Sequence, residues 1–293
     1  MITYSIIIPH HDIPQLLLRL LATCPTTEDT EVIIGDDHSS EETLAVLRGA
    51  SLAKNVRIVS VPERIKGAGA ARNTALREAQ GKWLIFADAD DYFLPDMKRI
   101  IDSHKDDDAD LIYFHTTSVN TDTGEEGTRE KRFNRMIDTY MGEPTEANLN
   151  ALRYGFTPPW SKMIRRGYIV RNGIIYDEVK ASNDIMFSIL AAHSARTISA
   201  QNEAIYCVTE NSFGLTKTFS KEAWYARFDV ALRANKFMRS VGMGKRQYCI
   251  PMQSFKASQY GLKDLCKIIG KLIKFRQNPL AGLRRKMKEE KDN

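Results

Sequence analysis

Four places in this 293-residue chain gather side chains that can do chemistry. The first is Asp88-Ala89-Asp90, followed at once by Asp91. Two carboxylates at this D-x-D spacing on a turn can face one hard divalent ion. Mg2+ or Mn2+ suits such oxygen ligands and shares its shell with substrate phosphates. The second place is Asp36-Asp37-His38-Ser39, and the third is Pro9-His10-His11-Asp12. A competing reading of the Asp clusters is a turn after a strand, where Asp is common. The fourth is Ser182-Asn183-Asp184, ahead of Ile185-Met186-Phe187. There Asp184 is either an acidic residue in the first turn of a helix capped by Ser182, or a general base.

The first three clusters each follow a short apolar run. Residues 4–8, 31–35, 56–61, 83–86 and 111–115 read as strands. Helical patterns separate them at 16–21, from Ser39-Ser40-Glu41-Glu42 onward, at 69–80 and at 95–104. This alternation predicts an α/β fold, a Rossmann-like, mostly parallel sheet with helices on both faces. Near-continuous apolar strands suit that arrangement. In open sheets of this kind ligands bind beyond the carboxyl ends of the strands. Parallel strands put the three clusters on one edge, so Asp36, Asp37, Asp88, Asp90 and Asp91 crowd together. Such crowding is unfavourable unless a cation or hydrogen-bond donors compensate it.

Gly67-Ala68-Gly69-Ala70-Ala71-Arg72 superficially matches a dinucleotide fingerprint, but it follows the third strand and lacks the third glycine. It reads better as the entry to an Ala-rich helix, with Arg64, Lys66 or Arg72 able to approach phosphates. Residues 118–135 are polar and read as a loop or hairpin insertion. Residues 145–195 return to helical patterns broken by Thr157-Pro158-Pro159-Trp160. Late strands are expected at 198 and 204–208, and from 219 the pattern is helical to the end.

Composition narrows the classes. Lys and Arg number 42 against 37 Asp and Glu, a net charge of +5, too mild to make a nucleic-acid binder by itself. Cys24, Cys207, Cys249 and Cys266 form no C-x-x-C pair, which argues against a zinc site or a disulfide framework and for reduced, cytoplasmic thiols. Polarity returns at His10, so a signal peptide is not expected, and no apolar run approaches the roughly 20 residues of a membrane span. Lys256, Lys263, Lys267, Lys271, Lys274, Arg276, Arg284, Arg285, Lys286, Lys288 and Lys291 make the C-terminus basic. Leu262, Leu265, Ile268, Ile269, Leu272 and Ile273 recur among the first of them at helical spacing. A basic amphipathic helix can lie on an anionic membrane. The competing reading is a packed helix with a solvated basic face. No nucleic-acid motif accompanies the charge.

Five motifs in order carry a resemblance: Ser5-Ile6-Ile7-Ile8-Pro9, Val32 to Ser39, Gly69 to Asn73, Trp83 to Asp91, and Pro95. Trp160-Ser161-Lys162 and Asn183-Asp184 are weaker matches. Together they resemble a family 2 glycosyltransferase with the GT-A fold, of the bacterial cell-surface polysaccharide type. The resemblance implies a GT-A catalytic domain over 1–210, which leaves 211–293 as a basic helical region that either lies on membrane or packs on the catalytic domain. It implies a UDP-sugar donor and a glycan or lipid-linked acceptor, in capsule, lipopolysaccharide or exopolysaccharide synthesis. The expected location is the cytoplasm, either free or peripheral on the cytoplasmic face of the inner membrane. Pro9, His11, Asp12, Asp36, Asp37, Lys66, Arg72, Asp88 and Ala89 would line the donor nucleotide, with one Asp accepting from uracil. Asp88 and Asp90 would hold Mn2+ or Mg2+ on the diphosphate. Asp184 would be the catalytic base of an inverting displacement, with Trp160, Lys162 and Asn183 beside the acceptor.

This chain departs from the family pattern at four points. His10-His11 stand for an aromatic and Asn, Gly35 for an apolar residue, His38 for Gly, and Asn183 for Glu. Two other classes compete. A nucleotidyltransferase would need a glycine- and lysine-rich loop after the first strand, which is missing. A non-catalytic nucleotide-sugar or glycan-binding module would not need Asp88, Asp90 and Asp184.

Overall fold

In the computed structural model, which describes residues 1–210, 220–251, 260–283 and 287, the apolar runs near the N-terminus are strands. β1 (Tyr4–His10) lies between β2 (Thr30–Asp36) and β4 (Trp83–Phe86) and runs parallel to both. β3 (Val56–Ser60) is parallel on the outside of β2. Ile6, Ile7, Ile8, Ile33, Ile34, Leu84, Ile85 and Phe86 are wholly buried, as strands covered on both faces require. Helices α1 (Pro14–Leu21), α2 (Glu41–Gly49) and α3 (Ala68–Glu78) make the crossovers. The Ser40 hydroxyl caps α2 by accepting the Thr43 N–H at 3.3 Å, with Glu41 and Glu42 in the first turn, where the helix dipole favours them.

Beyond β4 the sheet is mixed. It continues through β5 (Tyr92–Phe93), β6 (Leu111–Asn120), β7 (Lys162–Arg165) and β8 (Ile198–Glu210). Among the described residues the strand order is β3-β2-β1-β4-β7-β6-β8-β5. β7 is antiparallel to β4 and β6, β8 is parallel to β6, and β5 is antiparallel to β8. β7 falls in a stretch that reads as helical in sequence, because four residues are too few to show a period. β8 joins the two expected late strands into one. The expected loop at 118–135 is shorter than its polarity suggests. β6 runs through Asn120, Val119 bridges Glu126, and α5 (Lys131–Gly142) starts within the segment. Helices α4 (Met97–Ser103), α6 (Glu146–Gly155), α7 (Arg166–Arg171) and α8 (Asn183–Ser194) complete this half.

The described residues divide into two units, 1–179 with 187–210, and 180–186 with those from 220 onward. The second contains α9 (Lys221–Ser240) and α10 (Leu262–Lys274). Its core is Trp224, Phe228, Ala231, Leu232, Ile250 and Ile268, with Trp224 stacked on Phe228 at 5.4 Å. Lys256, Arg284, Arg285, Lys286, Lys288 and Lys291, and the helix expected through them, lie outside the described residues. All four cysteines are free thiols. Among the described residues no helix is long and apolar enough to cross a membrane.

Gly35 is explained by packing. α3 meets β2 backbone to backbone, and a methyl group on Gly35 would overlap the Ala71 carbonyl. Gly35→Ala must therefore push the helix off the sheet. The expected cost is about 1–3 kcal/mol, read as a lowered thermal midpoint. Gly49→Ala, in open space, leaves the midpoint unchanged or raises it.

Candidate active site at the carboxyl edge of the sheet

The parallel register sets His10 beside Asp36 and Ile7 beside Phe86. All three strands therefore end on one edge, as the alternation predicts. There His10 Nδ1 lies 3.1 Å from Asp36 Oδ1 and 3.3 Å from Ser39 Oγ, and the Ser39 N–H donates to Asp36 Oδ2 at 3.2 Å. Burial pushes the Asp36 carboxyl up, but the bonds from His10 and Ser39 prevail and hold it below its usual value. Asp37 accepts the Gly67 N–H at 2.8 Å, at the entrance to α3, and its other oxygen is 3.1 Å from His38 Nδ1. Asp12 accepts the Ser40 N–H at 2.8 Å and the Ser40 hydroxyl at 2.9 Å. The backbone bond from Ser40, then hydroxyl bonds from Thr43 and Ser40, bring its pKa down to about 2. The two strand-end loops are thus knotted together, and Asp12 (φ 50°) and His38 (φ 58°) both take left-handed backbone to do it.

The Asp88–Asp91 turn is held from three sides. Arg72, buried on α3, ion-pairs with Asp88 and lies 5.2 Å over the Tyr176 ring. Its neighbour Asn73 accepts the Tyr176 N–H at 2.8 Å and donates to the Tyr176 carbonyl at 2.9 Å. From β8, the Tyr206 hydroxyl accepts the Asp88 N–H at 2.8 Å and donates to Asp91 Oδ2 at 2.9 Å. The Thr209 N–H donates to Asp91 Oδ1, and its hydroxyl to the Asp90 carbonyl, each at 2.7 Å. From α1, Arg19 donates to the same carbonyl.

These contacts settle how the crowded carboxylates coexist. Donors compensate Asp36 and Asp37, and Arg72 compensates Asp88. Asp91 is a buried strut between the turn and β8; burial, then the charges of Asp88 and Asp90, push its carboxyl well up. Asp90 is the exception. Burial and then Asp88 raise it. Among the described residues no side chain hydrogen-bonds to its carboxylate; Arg129 and Arg19 act on it only through their charge. Its one hydrogen bond comes from its own backbone amide. Asp88 and Asp90 are hard oxygen donors, one of them met by no side-chain donor among the described residues, which fits a Mg2+ or Mn2+ ion that takes its remaining ligands from phosphates and water.

Other expected site residues are spread more widely. Pro9 is buried at the end of β1, and Ala89 is buried inside the turn. His11 is exposed, with Nδ1 2.7 Å from the Asp37 carbonyl, and Lys66 is exposed ahead of α3. Trp160 is 1% exposed, stacked on Tyr206 and edge-on to Phe133 and Phe156. Lys162 is 2% exposed and donates to the Phe156 and Pro158 carbonyls at 3.0 and 2.6 Å and to Ser188 Oγ at 3.2 Å. Neither side chain offers an open surface to an acceptor. Trp160 backs the Tyr206 ring, and Lys162 ties residues 156–158 to α8. Asn183 and Asp184 belong to the second unit, half-buried in the first turn of α8. Ser182 before them has φ 59°, outside the extended range of an N-cap.

Sequence reasoning missed Arg19, Tyr206, Thr209 and Arg129. Arg129 is carried on a segment whose amides at 128 and 129 donate to Glu210 at 2.9 and 3.0 Å. The one available signal was a phenol inside the apolar run 204–208, with the Thr209 hydroxyl directly after it.

Comparison with known proteins decides the family. The family described as Glycosyl transferase family 2 matches residues 5–170, which contain the three strand ends and the Asp88–Asp91 turn but not Tyr176, Asp184 or the β8 contacts. The chain belongs to glycosyl transferase family 2. A similar family 2 protein is the poly(ribitol-phosphate) beta-N-acetylglucosaminyltransferase TarS of Staphylococcus aureus, 27% identical over 216 residues. That match takes in 70% of this chain but 35% of the relative, so the chain spans about a third of its length. The crystal structure of S. aureus TarS 1-349 in complex with UDP-GlcNAc superimposes with a TM-score of 0.66 at 18% identity, covering 94% of this chain and 80% of that one. The mannosyltransferase PcManGT from Pyrobaculum calidifontis, in complex with GDP-Man and Mn2+, gives 0.50 at 15% identity, covering 94% and 81%. The fold is that of the GT-A glycosyltransferases.

In this family 2 chain the Tyr206 hydroxyl joins Thr209 in linking the D-x-D turn to β8. Tyr206→Phe leaves a buried carboxylate one donor short, at a cost of about 1–3 kcal/mol. A lowered thermal midpoint checks it. Preservation of the midpoint would show that Thr209 alone suffices to seat Asp91.

Proposed function

We propose that this chain is an inverting glycosyltransferase that moves a sugar from a UDP-sugar to a hydroxyl of a glycan or lipid-linked acceptor in cell-surface polysaccharide synthesis. The observation that carries the reading is the Asp90 carboxylate, desolvated and met by no side-chain donor among the described residues, beside the Arg72–Asp88 pair on the sheet edge of a family 2 chain. The UDP-GlcNAc bound to TarS supports a UDP-linked donor.

Asp88 and Asp90 would hold Mn2+ or Mg2+, which when bound neutralises charge growing on the leaving diphosphate. Arg72, itself held by Asp88 and the Tyr176 ring, keeps a fixed positive charge at the same edge, so little reorganisation accompanies bond breaking. The knotted loops carrying Pro9, His11, Asp12, Asp36 and Asp37, with Lys66 and Ala89, form the wall for the nucleoside. Asp184 takes the acceptor hydroxyl proton as that oxygen attacks the anomeric carbon. One displacement inverts the centre and needs no covalent intermediate. The protein works in the cytoplasm, peripheral to the inner membrane, where nucleotide sugars and lipid-linked acceptors meet.

Purified protein is assayed against a panel of UDP-sugars, with Mn2+ and with EDTA, for thermal shift and UDP release. One UDP-sugar should stabilise the protein only with metal. Asp90→Ala should abolish that shift; unchanged calorimetric affinity in Mn2+ would remove the metal role. Asp184→Asn should keep donor binding and lose transfer by at least about 100-fold, the low end for a general base. Near-normal turnover of that variant would leave Asp184 as an ordinary first-turn residue. Silence towards every UDP-sugar would point to a binding module or another nucleotide.

A further inference from the structure

The segment after β6 is pinned to the end of β8, and it carries an arginine to the D-x-D turn. The Thr128 and Arg129 amides both donate to Glu210 Oε1, at 2.9 and 3.0 Å. The Gly127 amide donates to the Ser118 carbonyl at 2.9 Å, and the Ser118 hydroxyl donates to Glu130. A methyl group on Gly127 would overlap the Ser118 hydroxyl and the Glu210 carboxylate, so loop and strands touch with no room to spare. Burial pushes the Glu210 carboxyl up, but the two amides and Ser118 prevail and hold it below its usual value. Thr209, the residue before Glu210, bonds Asp90 and Asp91. Consecutive residues of β8 thus hold the turn and the Arg129 backbone side by side.

The Arg129 side chain is exposed, and among the described residues no carboxylate is in ion-pair contact with it. Its charge nevertheless reaches both Asp90 and Glu210. The other two arginines of the turn are engaged, Arg72 with the Asp88 carboxylate and Arg19 with the Asp90 carbonyl. Fixing the backbone in advance lowers the ordering cost of a contact made by the side chain.

The reaction assigned above has a use for such a cation. The bond between the anomeric carbon and the terminal phosphate oxygen of the donor breaks, and its electron pair stays on that oxygen. UDP therefore leaves with one more negative charge than it carried within the UDP-sugar. A guanidinium presents a planar fork of donors that matches phosphate oxygens, and a cation met more strongly by the departing charge than by the ground state is what accelerates transfer.

We propose that Arg129 is a further diphosphate-binding residue, whose guanidinium meets the terminal phosphate of UDP as the sugar departs. The inference rests on the UDP-sugar reading and adds the side chain that favours the leaving group over the intact donor.

Calorimetry in Mn2+ compares UDP with UMP, which lacks the terminal phosphate. Arg129→Gln, at an exposed position, should keep the thermal midpoint, weaken UDP by at least about tenfold and leave UMP within about twofold. Arg129→Lys retains the charge without the fork and should fall between wild type and Arg129→Gln. Unchanged UDP affinity in Arg129→Gln overturns the proposal. An equal loss for UMP also overturns it, since the arginine would then be a general counter-charge. So does slow transfer with normal UDP affinity, which would put Arg129 against an anionic group of the acceptor. Failure of the wild-type protein to bind UDP at all would instead remove the UDP-sugar reading, and this inference with it.

Discussion

Repulsion among carboxylates at the carboxyl edge of β1, β2 and β4 is the constraint on which the rest of the first unit depends. Parallel strands deliver the charges whether or not they are comfortable. Each is then met by something brought from a distance. The amide of Gly67 reaches Asp37, His10 reaches Asp36, and Arg72 reaches Asp88. β8 is threaded beside β6 so that Tyr206 and Thr209 arrive under Asp91. The mixed half of the sheet thereby acts as the foundation of a turn that belongs to the parallel half. Asp90 alone among them is met by no side-chain donor within the described residues, only by its own backbone amide and by the charges of Arg129 and Arg19.

The backbone records the same demand. Asp12, His38, Ser161 and Ser182 take left-handed φ values without being glycine. Each adjoins a residue that the sequence marks as chemical. Strain of this kind costs of order 1–3 kcal/mol per residue and persists only where neighbours over-determine it. Ser40 and Ser39 do so for the strand-end loops, and Thr116, bonded to the Ser161 hydroxyl, does so for the turn into β7.

The parallel half was legible because buried parallel strands write themselves as unbroken Ile, Val and aromatic runs, and because their ends are punctuated by Asp and His. The cap of α2 was legible for the same local reason. β7 was not, since Lys162 and Arg165 at its ends look solvent-facing while the fold buries Lys162 among carbonyls. The partners of the site carboxylates were not legible either. Tyr206 lies 115 residues from Asp91 and Asn73 lies 103 from Tyr176, and no local pattern encodes such pairings. Trp160-Ser161-Lys162 was visible as a motif, yet its burial, and hence its bracing function, required the three-dimensional arrangement.

Arg72 is shared between two tenants. Its guanidinium bonds Asp88 on one side and covers the Tyr176 ring on the other, while Asn73 clamps the backbone of that tyrosine. A group held at both ends transmits any change in its electrostatic surroundings. Whatever draws Asp88 away from the guanidinium alters its grip on Tyr176, and displacement of Tyr176 alters in equal measure the free energy of events at Asp88, because coupling between two sites is reciprocal. The stack of Tyr176 on Phe187, with centroids 3.9 Å apart, extends this chain of contacts to α8.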